Sequence, residues 1–100
     1  MYNLSDPAEV EKAKARDEER RKQELNDIRT VLANASGRRL IWKVLTKCNA
    51  FGSVFSKEAS TMSYLSGQQD LGHYIMSEIV QADENLLLKM MKENKQRGMK

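Results

Sequence analysis

The chain has 100 residues, 40% of them hydrophobic, and 17 Lys and Arg against 14 Asp and Glu give a formal net charge of +3. This bounds it to one small domain with no room for a large enclosed active site, and the charge balance is too even for the dense cationic surface of a phosphate-backbone binder. The single cysteine, Cys48, excludes an intrachain disulfide and disfavours a zinc module, and with neither a run of about 18 apolar residues nor a charged-apolar-small leader, the expectation is a soluble protein made in the cytoplasm with no membrane anchor.

The first element starts at "SDPAEVE", where Asp6 suits an N-cap, Pro7 the first helical position and Glu9 a D-x-x-E capping box. From there "AEVEKAKARDEERRKQEL" holds strong helix formers and no breaker, with opposite charges at helical spacing such as Glu18 and Lys22, each pair worth a few tenths of a kcal/mol. Residues 1–24 carry six basic and seven acidic side chains, residues 25–100 eleven and seven, so the positive excess belongs to the apolar part. No apolar stripe begins before Leu25, Ile28 and Leu32. Residues 1–24 therefore read as a charged helical arm, either solvated or laid along a neighbouring subunit with Arg16, Arg20 and Arg21 as contact candidates. The remaining core of about 70 residues lies near the size where a lone core supplies only about 3–5 kcal/mol, so the expectation is that binding to a partner completes the fold.

"NASG" breaks the helix, with Asn34 ending it, Ser36 placed to cap the next and Gly37 freeing the turn. In "SGRRLIWKVL" the positions Leu40, Ile41, Val44, Leu45 and Cys48 form a core-facing stripe. Arg38 and Arg39 stand in the first turn, where the helix dipole favours acids by about 0.3–1 kcal/mol, so both call for compensation. An intramolecular carboxylate such as Asp27 or Asp70 is one source, and an acidic patch or phosphate on a partner is the other. On this reading Arg39 is the more structural of the two and Arg38 the better partner contact. Trp42 is a core wedge or an interface anchor, with the core favoured.

"NAFGSVFSKEASTMSYLSG" reads as an ordered connector in which Phe51, Val54 and Phe55 tuck back under the helices, Phe51 and Phe55 also being interface candidates. A further helix can start around residues 60–66 and carries Leu71, Ile75, Ile79 and Ala82 along one face, with Gly67 and Gly72 where a neighbour can approach closely. Asp83 reads as the N-cap of a last helix with Leu87, Met90 and Met91 inward, before a basic tail over residues 94–100. Without a period-two stretch long enough for a strand, the class is all-α: a long N-terminal charged helix followed by a small bundle of about three shorter helices, the helical domain spanning residues 25–93.

Catalytic chemistry is hard to find in this inventory. His73 is the single histidine, Cys48 continues an apolar stripe as a buried thiol would, and Asp27, Glu58, Asp70 and Glu78 form no recognisable acid pair or metal set. The expectation is no enzyme, no cofactor and no metal.

The run "DIRTVLANASGRRLIWKVLTKCNAFGSVF", followed by "YLSGQQDLGHYIMSEI" and "LLLKMMKE", resembles a family of small virion structural proteins of tailed, mainly short-tailed, bacteriophages typified by a Bordetella phage protein. The corresponding positions are Asp27, Ile28 and Arg29; Gly37, Arg38 and Arg39; Trp42; Phe51 and Phe55; Gly67 and Gly72; and residues 86–91, so the likeness covers about residues 25–93. It implies a non-enzymatic particle component; the small core and apolar-poor arm suit repeated docking on a ring, so the expected place is the portal or head-tail vertex, in multiple copies on a symmetric ring beside other virion proteins. An internal ejected protein, a small protein-binding adaptor or regulator and a DNA-binding module are the alternatives. The family's basic stretch on the third helix is replaced by "GQQDLGHY", which counts against DNA contact there.

Overall fold

The computed structural model describes residues 6–53 and 57–96 and contains four helices in chain order. The first, α1, spans Pro7–Leu32 and begins where the capping residues place it: Asp6 is extended, and its Oδ1 accepts from the Ala8 amide at 2.9 Å. Its 26 residues make a rod about 39 Å long. The ion pairs along it are Asp17–Arg20, Glu19–Lys22 and Arg21–Glu24, all three residues apart rather than the four of the expected Glu18–Lys22 pair. The helix runs through residue 24 without interruption, and its buried side sharpens toward Leu32.

Only two residues separate α1 from α2, which spans Ala35–Lys47. Asn34, expected to stop α1, is instead the N-cap of α2: its Oδ1 accepts from the Gly37 amide at 2.8 Å, and Ser36 lies inside the first turn. Gly37 is helical, so its role is close approach and not turn freedom. A Cβ there would lie 1.8 Å from the Val31 carbonyl oxygen.

The buried side of α2 is Arg38, Trp42 and Leu45. Leu40 and Val44, expected in the core, are 60% and 36% exposed because the helix is rotated to bring the arginine inward. The helix closes in a Schellman turn, with Asn49 left-handed at φ 55°, its amide donating to the Thr46 carbonyl and the Ala50 amide to the Leu45 carbonyl.

The longer α3, Ala59–Ala82, nearly matches α1 in length, so the connector is shorter than expected. It grips the α2 turn: Gln69 Nε2 donates to the carbonyls of Asn49 and Gly52, and His73 Nε2 donates to that of Ala50 at 3.0 Å. Gly72 permits this contact, since a Cβ would sit 3.0 Å from the Cβ atoms of both Ala50 and Cys48, whereas Gly67 faces open space. Asp83 then caps α4, Glu84–Gln96, accepting from the Asn85 amide at 2.9 Å. Residues 94–96 continue that helix with Asn94 buried, and the rest of the tail lies outside the described residues.

Leu32, Trp42, Leu45, Ala50, Ile79 and Met90 form the core, flanked by half-buried Ile28, Ile41, Ile75, Met76, Leu86, Leu87 and Met91. Trp42 stacks on Phe51 with ring centroids 4.9 Å apart, which settles it as a core residue; Phe55 and Val54 lie outside the described residues. Around this small core the molecule is a slab, 54 × 38 × 17 Å, with a radius of gyration of 18.1 Å against about 13 Å for a round domain of this length.

Candidate docking face

Three arginines hold the helices to one another. Arg38 is 8% exposed; its Nε and Nη2 donate to the two carboxylate oxygens of Glu93 at 2.9 Å each, and its Nη1 donates to the carbonyls of Leu32 and Ala33 at 3.0 and 3.1 Å. The guanidinium thus completes the last carbonyls of α1 and binds α4 in the same plane, a fork that lysine lacks. Arg21 makes a second two-pronged pair with Glu78 at 2.8 and 2.6 Å and reaches Gln81 and Glu24. Arg29 Nε donates to the Ala82 carbonyl at 2.6 Å, closing the end of α3.

The candidates from the sequence therefore separate. Arg21 and Arg38 are engaged inside the bundle, and the compensating carboxylate for Arg38 is Glu93, not Asp27 or Asp70. Arg39, expected to be the more structural, is exposed and among the described residues donates to Ser36 Oγ at 3.2 Å, so the structural role falls to Arg38. Arg16 and Arg20 are exposed on α1, Trp42 is in the core, and Phe51 is partly exposed beside it.

The arginine hydrogen bonds hold the carboxyls of Glu78 and Glu93 below the usual carboxylate range, outweighing the opposing effect of burial, and raise Arg21 and Arg38. A carboxyl depressed in the folded state stabilises the fold above its unfolded value, about 4.3 for Glu, and that contribution disappears as pH falls through the folded value. Thermal melts followed by circular dichroism should accordingly show the melting temperature dropping below about pH 4.3, with a shallower drop in Glu93→Gln and Glu78→Gln. Equal acid slopes in wild type and both variants would show that these pairs do not link folding to protons.

Some of the exposed apolar residues border a groove. A groove of about 290 Å³ runs between α1 and α3, floored by Ile28, Leu32, Ile41, Ile75 and Ile79, with Val31 and Asp27 on one wall and Tyr74 and Glu78 on the other. Val31 and Tyr74 are exposed, as are Leu40 and Val44 on the adjoining edge of α2 and Leu71 on α3. Sequence reasoning missed this face because it assigned Leu40, Val44 and Leu71 to the core-facing stripes; only Val31 and Tyr74 lay off those stripes. It also missed Arg29 and Glu93 as ties, although "DIR" stood in the quoted run. Among the described residues no three His, Cys, Asp or Glu side chains gather where they could hold a metal ion, and no helix is long and apolar enough to cross a membrane.

The fold defines a small all-α bundle in which the α1–α2 pair packs on the α3–α4 pair. Residues 28–92 match the family of Bbp19-like phage proteins, and the chain belongs to that family. The matched span lies within the residues that carry the resemblance in the sequence. No curated protein and no solved structure matches the chain.

Proposed function

We propose that the chain is a non-enzymatic structural or assembly component of a phage particle, present in several symmetric copies at the portal or head-tail vertex. Membership in a phage protein family supports the setting. The observation that supports the mode of action is the aliphatic groove between α1 and α3 with exposed Val31, Tyr74, Leu40, Val44 and Leu71 around it: an apolar groove bordered by exposed apolar side chains marks an interaction site. A bundle with a small core and a long charged helix suits repeated docking on a ring, where symmetry reuses one surface many times.

Mass spectrometry and cryo-microscopy of purified particles test this reading. The expected result is the chain in mature particles at a fixed multiple of the vertex proteins. Recovery from procapsids alone assigns it to assembly, and absence from both overturns the proposal.

A further inference from the structure

The open face has two unlike halves. One is the groove, whose rim carries the carboxylates of Asp27 and Glu78. Glu78 is committed to Arg21, while among the described residues Asp27 accepts from the neutral Gln23, at 2.8 Å. The other half is the edge of α2, where Leu40 and Val44 stand out from the surface. Helical register places Lys43 three residues beyond Leu40 and Lys47 three beyond Val44, on the outer flank of that edge. Among the described residues no carboxylate pairs with either lysine.

The face thus sets an aliphatic ridge with a basic flank beside an aliphatic groove with an acidic rim. A uniformly basic partner would meet the lysines, and a uniformly acidic one would meet Asp27. A surface that carries both halves side by side complements itself under a two-fold axis, because rotation by 180° lays each ridge over the opposite groove and each basic flank over the opposite acid. The groove's volume is at the bottom of the range of about 300–1,000 Å³ usual for small-molecule sites, and its floor is entirely aliphatic, without the placed polar groups that orient such ligands.

We propose that a second copy of this chain occupies the face, with Leu40 and Val44 of each copy in the groove of the other and Lys43 and Lys47 against the opposite Asp27. This deepens the particle reading by naming one partner, and it is tested apart from it, in solution. Sedimentation equilibrium of the full chain should show a reversible equilibrium between a species of 11.5 kDa and one of twice that mass. Leu40→Ala with Val44→Ala should weaken dimerisation about tenfold or more. Lys43→Glu with Lys47→Glu should weaken it, as should Asp27→Lys alone, and combining the three charge reversals should restore it to within several-fold of wild type. All these positions are exposed, and circular dichroism should show unchanged helicity.

A chain that stays monomeric overturns the proposal and leaves the face to a different protein. So does a dimer indifferent to the substitutions, a closed ring of three or more copies, or a failure of the combined reversal to restore association. A solution dimer absent from particles would instead sink the particle reading and leave this one standing.

Discussion

Replacing Arg38 by alanine lowers the melting temperature by roughly 10 °C or more, whereas replacing Arg39 lowers it by less than about 2 °C. Arg38 is almost fully covered and makes four hydrogen bonds to three partners. Its removal leaves the Glu93 carboxylate, 34% exposed, without its two-pronged partner and the Leu32 and Ala33 carbonyls without their donor, and a half-broken, mostly covered pair is worse than none. Lysine at 38 recovers only part of the loss, because one ammonium cannot serve both Glu93 oxygens and the carbonyls together. Arg38→Met combined with Glu93→Leu recovers more than either single variant, since it leaves neither charge without its partner. Thermal melts of the single and double variants check this, and equal losses at 38 and 39 would remove the guanidinium network as the reason for the fold's dependence on Arg38.

Alanine at Gly37 should destabilise the protein by about 2 kcal/mol or more, and here the sign is the informative part. In an open helix the same exchange stabilises by about 1 kcal/mol through backbone entropy. At Gly37 the new Cβ would lie 1.8 Å from a backbone oxygen of α1, so the α1–α2 junction must open, an overpacking cost of about 1–3 kcal/mol or more that also strains the Arg38 bonds to Leu32 and Ala33. Gly67, with nothing within 4 Å of its Cβ position, is the control, and alanine there should raise stability by up to about 1 kcal/mol. Urea unfolding midpoints of the two variants should move in opposite directions; a shared direction would mean that helix propensity, and not the crossing of α1 and α2, governs both sites.

What the sequence made legible was local chemistry. Asp6 with Pro7 and Asp83 mark helix starts because a cap and its amide lie within three residues of each other. Asn34 and Ser36 are both good caps two residues apart, and no local rule chooses between them; the tight junction does. The inward face of α2 was misread for a related reason. Apolar spacing favoured Leu40 and Val44, but Arg38 turns inward to a carboxylate 55 residues further along the chain, and that distance has no signature in periodicity. The open groove was hidden for the same reason: Leu40, Val44 and Leu71 fit the apolar spacing of core stripes, and only the packing of the helices shows that they stay exposed.

The arginine ties share one further property. Arg21 to Glu78, Arg29 to Ala82 and Arg38 to Glu93 span 57, 53 and 55 residues, each joining the α1–α2 pair to the α3–α4 pair. Closing a loop of that length costs on the order of 3 to 4 kcal/mol of chain entropy before any constant term. That cost is incurred once, because after the first tie forms the other two ends are already close. The three ties are therefore coupled: whichever forms first brings the other two arginines within reach of their acceptors across short gaps.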